Sequence, residues 1–179
     1  PIYGLVVLGL AHPDKVKTNA GARAGDLLVL GKPLGIGVLS AALRRDALDA
    51  AGYAALLECT TLLNTPGRAL ADIDAVHAMT DVTGFGLIGH LLELCRGAGL
   101  SATLRMASIP LLPGAAALVA DGHVTGASAR NWQACADAAT LDPSIGGQQR
   151  DILTDPQTSG GLLVACAPAA LESVLAIFH

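Results

Sequence analysis

The chain has 179 residues, a formal net charge of −4, and a composition that is 52% hydrophobic, 15% charged and 3% aromatic. That length suits one domain, or one domain with a piece of another, with a core built from Ala, Leu, Val and Ile because aromatic area is so scarce. No basic stretch exceeds two residues, which argues against a nucleic-acid ligand; no uncharged apolar run reaches the roughly 18 to 20 residues of a membrane helix.

Residues 2–11, IYGLVVLGLA, are an apolar run rich in Val and Leu and predict a buried strand. Residues 12–26 are polar and contain glycine, as a connection with turns does. A second strand is expected over 26–35, ended by Pro33 and two glycines. Ala and Leu at helical spacing over 36–64 predict two helices, broken between Asp46 and Gly52. Thr65 and Pro66 read as the N-cap and first position of the next helix. Residues 75–81 alternate weakly and read as a strand ending on Asp81. A helix follows from Phe85 to about Arg96, closed by Gly97 and Gly99.

Residues 100–106 alternate with period two and predict a half-buried strand. A short helix is expected within 110–122, and a further one around Asn131 to Ala139 in the mixed stretch 126–149. The chain then reads as a loop over 156–161, a strand over 162–167 and a helix over 167–178 begun by Pro168. Strands alternating with helices point to a layered α/β or α+β domain. The start on PIYGL without Met and the finish on an apolar helical pattern suggest a fragment. The low charge suggests apolar surface facing another domain or a second subunit.

Cys59, Cys95, Cys135 and Cys166 lie far apart with no C-x-x-C pair, which reads as four reduced, buried thiols of a cytosolic protein. Each sits in an apolar helix or strand, as inert thiols do. GKPLGIG, residues 31–37, lacks the G-K-[ST] ending of a phosphate-binding loop; Lys32 could touch a phosphate, but a lone lysine reads first as solvated. There is no G-x-S-x-G elbow.

The stretch with the most chemistry is HAMTDVTGFGLIGHLLEL, residues 77–94. A strand ends on Asp81, and Gly84 and Gly86 let the chain reverse into a helix. The first amides of that helix lack intrahelical partners and favour an anion. Asp81 and Thr83 stand beside them, and a hard cation such as Mg²⁺ takes carboxylate and phosphate oxygens. Locally this is either a helix cap or a metal–phosphate contact. His90 falls opposite the apolar face of Leu87, Ile88, Leu91, Leu92, Leu94 and Cys95 and reads as solvated. His77 reads as either core or site. DPQTSGG, residues 155–161, repeats the question: Asp155, Gln157, Thr158 and Ser159 either bond their own turn or form a polar rim facing a nucleotide or partner domain.

AMTDVTGFGLIGHLLELC, taken with TDPQTSGGLL, KPLGIGVL and PIYGL, closely resembles the selenophosphate synthetase (selenide, water dikinase) family, over essentially the whole chain and in that family's order. The wider superfamily, including aminoimidazole ribonucleotide synthetase and the hydrogenase-maturation dehydratase, has a shorter D-x-T-G-x-G form of the first motif. The resemblance implies an α+β fold: a three-layer α/β/α domain of the aminoimidazole ribonucleotide synthetase C-terminal type, with a mixed sheet. It implies that residues 1–18 are the last strand and linker of a missing N-terminal ATP-binding domain. Residues 19–179 would then be the C-terminal domain, lacking its last strand.

The family makes selenophosphate, AMP and phosphate from ATP, selenide and water with Mg²⁺, as a cytoplasmic homodimer whose nucleotide and metals lie between its two domains. Carried onto this sequence, Asp81 is a metal ligand, while Thr80, Thr83, Gly84 and Gly86 shape the turn near the phosphates. The family's Cys or selenocysteine nucleophile, its Lys and its Gly-Asn-Asp loop have no counterpart here. No catalytic residue is therefore expected in this chain, and the fragment alone is expected to be inactive. Around residues 128–150 the likeness loosens to Arg130 and Asn131, which receive no role. Two alternatives stand beside this reading. One is a related ATP-dependent synthetase or dehydratase of the superfamily; the other is a non-catalytic dimerisation or regulatory domain.

Overall fold

A computed structural model describes residues 4, 6 and 8–178. Its sheet contains β1 (Leu27–Leu30), β2 (Val76–Asp81) and β3 (Leu162–Cys166) in the order β1-β3-β2, with antiparallel pairing throughout. The middle strand, LLVAC, is buried along its whole length. Alternation divides its side chains: Leu162, Val164 and Cys166 point into one core, Leu163 and Ala165 into the layer opposite. A strand covered on both faces needs such an unbroken apolar run.

The helices are α1 (Ile36–Leu43), α2 (Ala50–Thr61), α3 (Pro66–Ala71), α4 (Gly86–Ala98), α5 (Ala115–Ala120), α6 (Gly126–Cys135), α7 (Gly147–Leu153) and α8 (Leu171–Phe178). Leu70 of α3 and Val174 of α8 are fully buried against one face of the sheet. On the other face Leu87, Ile88, Leu91 and Cys95 of α4 meet Val38, Val119, Cys135, Ile152 and Leu163. Helices on both faces of an antiparallel sheet make this an α+β domain. The parallel part of the expected mixed sheet is reduced, among the described residues, to one bridge between Leu34 and Leu111.

The strand at β1, the break between α1 and α2, β2, α4 with its stop at Gly99, α5, β3 and α8 lie where the sequence predicts them. Other expectations change. The strand expected over 2–11 falls partly outside the described residues, and residues 8–11 form no strand. Thr65 precedes α3 but has helical dihedrals, and its side chain makes no capping bond; Pro66 alone sets that start. The helix expected at Asn131–Ala139 runs instead from Gly126 to Cys135, because Thr125 caps it through the amide of Ser128. α7 was hidden by its two leading glycines; Gln149 accepts the Gly146 amide and starts it.

The largest change is at 100–106: residues 101–105 pair with no strand among the described residues and lead to a 3₁₀ turn at Met106–Ser108. The segment stays without a strand partner there although the outer edge of β1 is unpaired as well. A cleft of about 900 Å³ separates it from β1, floored by Leu87, Leu91, Leu94, Leu163 and Ala165. A second, of about 820 Å³, lies on its other side, against Leu92, Met106, Leu141 and Ile145. All four cysteines are free and buried, and burial pushes their thiols up. Among the described residues no helix is long and apolar enough to cross a membrane.

Candidate functional site: the turn after the second strand

β2 delivers Asp81, opposite Leu162, to the end of the sheet, where it is exposed. The next residues turn their carbonyls inward. Val82 is fully buried and donates its amide to the Gly161 carbonyl at 2.8 Å. The Thr83 carbonyl accepts from the Gly86 amide at 3.1 Å and the Gln157 amide at 3.0 Å. The Gly84 carbonyl accepts from Asn131 Nδ2 at 2.9 Å. Among the described residues the amides of Thr83, Gly84 and Phe85 have no acceptor, and the Asp81 carboxylate has no hydrogen-bond or ion-pair partner. Phe85 occupies the N-cap of α4 without a side-chain bond. Neither Asp81 nor Thr83 caps the helix, so the local alternative of a simple cap does not describe this turn. Thr80 is half-buried and donates to the Asp81 carbonyl at 3.2 Å.

Two glycines are required by contact. Gly86 has φ +69, and a Cβ there would lie 2.6 Å from the Thr154 carbonyl carbon. A Cβ on Gly160 would overlap the Val82 carbonyl oxygen. Gly84, by contrast, has open space around it.

Residues 154–161 back this turn and tie it to the start of α1. Gln157 Oε1 accepts from the Gly35 and Ile36 amides, both at 3.2 Å. Asp155 Oδ2 accepts from the Gly37 amide at 2.9 Å, the Val38 amide at 3.3 Å and Gln157 Nε2 at 2.8 Å. These carboxyl and amide oxygens satisfy donors that α1 cannot satisfy itself. Asp155 is fully buried, and burial pushes its carboxyl up to about 6 against the pull of those bonds. Its Oδ1 is buried without a partner.

Lys32 is not solvated. It is 3% exposed, and its ammonium donates to the carbonyls of Cys59 (3.1 Å), Leu62 (2.6 Å) and Ser159 (2.6 Å). Three donors meet three acceptors, two of them at the C-terminal end of α2, where a cation is favoured. Desolvation lowers its pKa. Asn64 Nδ2 adds a bond to the Gly160 carbonyl at 2.9 Å. Of the four side chains singled out in this loop, Asp155 and Gln157 face inward while Thr158 and Ser159 are exposed.

His90 is also a correction: it is 7% exposed, with Nε2 3.2 Å from Thr83 Oγ1. His77 belongs to the interior. A β-bulge between Val76 and Ala78 re-aims it, and its Nδ1 meets both oxygens of Asp26 at 2.8 and 3.0 Å. Asn131, given no role by sequence, bonds the Gly84 and Thr154 carbonyls, both at 2.9 Å. Its one signal was that Arg130 and Asn131 kept the family pattern where their surroundings did not.

A family model described as AIR synthase related protein, C-terminal domain, matches residues 23–179. The chain belongs to that family. Curated relatives named selenide, water dikinase match it closely: 62% identity over 179 residues in Burkholderia pseudomallei, covering 100% of this chain and 51% of the relative. The Pseudomonas straminea relative is 55% identical over 178 residues, with 99% and 50% covered, and the Rhizobium meliloti relative 51% over 168 residues, with 94% and 48% covered. The chain thus spans about half the length of the curated relatives it matches, in their C-terminal region.

Solved structures share the fold. Escherichia coli HypE superposes with a TM-score of 0.63 at 23% identity, covering 91% of this chain and 42% of that one. Thiamine-monophosphate kinase from Stenotrophomonas maltophilia gives 0.59 at 17% identity, with 90% and 45% covered.

Within this AIR synthase-related domain, no group of three or more His, Cys, Asp or Glu residues is arranged to hold a metal ion among the described residues. The turn offers one unpartnered, exposed carboxylate and three free amides. That donor set suits a single ligand to a cation held mainly by other groups, and does not suit a metal centre of its own.

Proposed function

We propose that the domain is the C-terminal half of a selenide, water dikinase, which makes selenophosphate, AMP and phosphate from ATP, selenide and water. The observation that carries this reading is identity of 51–62% to half of proteins with that name, together with the Asp81 turn. The relatives named above share one activity name, and nothing favours the synthetase, dehydratase or purely regulatory alternatives.

In this reading Asp81 would supply one carboxylate ligand to a Mg²⁺ ion that accompanies ATP. The ion's contribution, once bound, is to neutralise phosphate charge. Asp81 suits this because it is exposed, unpaired and fixed at a strand end. The free amides of Thr83, Gly84 and Phe85 offer donors to phosphate oxygens at the positive end of a 13-residue helix. Gly86 keeps the turn seated on Thr154, and Thr80 holds the Asp81 carbonyl. No residue of this chain takes a chemical step.

The same reading includes a preceding ATP-binding domain to which residues 1–18 belong, a last strand following α8, a homodimer and a cytoplasmic location. The cleft between β1 and 101–105 supports the last strand: its walls are a free strand edge and an extended segment, and Phe178, at the end of α8, lies over Gly31 at the end of β1. Exposed Tyr53, Leu57, Leu62, Leu63 and Phe85 suit a covered face.

The test is Asp81→Asn in the full-length protein. Selenide-dependent ATP turnover is expected to fall at least about tenfold with a raised Mg²⁺ requirement; unchanged turnover removes the assignment. Calorimetry of the isolated chain with Mg·ATP is expected to give no measurable binding.

A further inference from the structure

One side chain beside the turn is expensive for a purely structural residue. His90 stands in the first turns of α4 with its ring buried, and its Nδ1 has no hydrogen-bond partner. A leucine would fill such a position without stranding a polar atom, and an unsatisfied buried nitrogen is unfavourable. The ring is covered by Phe85, whose centroid lies 5.6 Å away with a 40° tilt. Gly89 makes room for that cover, since a Cβ there would lie 2.6 Å from Phe85 Cβ.

A neutral imidazole carries one N–H, and the surroundings decide which nitrogen holds it. The Glu93 carboxylate stands beside the ring, with Oε2 3.9 Å from Nδ1. The other nitrogen, Nε2, faces the Thr83 hydroxyl at 3.2 Å. A proton on Nδ1 points toward a carboxylate. A proton on Nε2 instead turns the Nδ1 lone pair toward that same negative charge. The first arrangement is favoured, and it leaves Nε2 as an acceptor.

We infer that His90 is a positioning residue: its bare Nε2 takes the Thr83 hydroxyl hydrogen, so that the Thr83 oxygen is presented as an acceptor only. An oxygen so fixed suits a hard cation or the water on that cation and does not donate to phosphate. The role assigned to this oxygen rests on the Asp81 reading above. The hydrogen bond itself does not.

The experiment uses the full-length protein with ¹⁵N-labelled histidine, assigned through the loss of one signal in His90→Leu. Expected is the Nδ1–H tautomer, with an Nε2 resonance that moves toward that of a free ring nitrogen in Thr83→Val. An Nε2–H tautomer or an Nε2 resonance indifferent to Thr83→Val overturns the inference. In turnover assays, His90→Leu is expected to lower kcat about tenfold, and His90→Gln, whose amide reaches the Nε2 position, to recover most of it. Adding Thr83→Val to His90→Leu is expected to cost no more than about twofold further, because both changes remove one interaction. Fully additive losses overturn the inference. Thermal unfolding of each variant separates these effects from misfolding. If the tautomer is as expected while Asp81→Asn leaves turnover unchanged, the metal reading fails and the His90–Thr83 bond stands.

Discussion

The turn after β2 and the free edge of β1 belong to the same three-stranded sheet and are held in different ways. At the turn, side chains from distant segments satisfy the backbone: Gln157 and Asp155 for α1, Asn131 for Gly84, Lys32 and Asn64 for the loop at 159–160. Along β1 the outer edge faces a cleft of about 900 Å³, and the segment across it, Ser101–Arg105, has no strand partner among the described residues. The turn is therefore pre-organised by its own residues. Among the described residues nothing pairs with that edge, and its backbone is held on one side only, by β3.

If the contrast is real, changes at the clasp cost stability. Lys32→Met strips the donor from three carbonyls, and the domain's Tm is expected to drop by about 10 °C, corresponding to a loss of about 3 kcal/mol. A drop of a degree or two means the ammonium is solvated and the clasp loose.

Asp155 gives a pH signature. Its carboxyl is raised from 3.8 to about 6 in the folded state, so the folded chain binds the proton more tightly than the unfolded one. The Asp155 contribution to stability is fullest below about pH 4 and is lost, by about 3 kcal/mol, as pH rises through 6. Asp155→Asn retains an acceptor for the Gly37 and Val38 amides and is expected to flatten that slope in urea unfolding curves taken from pH 4 to 7.

Asp81 lies beside the clasp but outside its bonds. Asp81→Asn is expected to leave Tm within a degree or two, a change of less than about 0.5 kcal/mol, while turnover drops as described above. A large Tm loss would make Asp81 part of the clasp. The smallest effect concerns the edge: amides of β1 are expected to exchange with solvent at least about tenfold faster than those of β3. Equal protection means the β1 edge is covered.

The sequence made the layers legible where periodicity and punctuation agreed. α4, with its apolar stripe and Gly99, and β3, with five apolar residues after two glycines, are local statements. The 100–106 segment misled because alternation states a preference for pairing and cannot supply the neighbour. His90 and Lys32 misled because a polar side chain reads as solvated unless its partners are known. Those partners, Thr83 in the preceding turn and carbonyls up to 127 residues away, arrive through tertiary packing. Asp81 was ambiguous from its neighbours alone, a cap or a ligand, and it was the family motif that singled it out; the structure shows that it does not cap α4. Asn131 was missed because an amide reaching two carbonyls leaves no local pattern.

The most direct measurement is a crystal structure of the full-length protein with Mn²⁺ in place of Mg²⁺ and a non-hydrolysable ATP analogue. The account predicts an anomalous manganese peak within about 2.3 Å of an Asp81 oxygen, shared with a phosphate oxygen. Manganese sites filled by other residues, with the Asp81 carboxylate turned to bulk water, would contradict it.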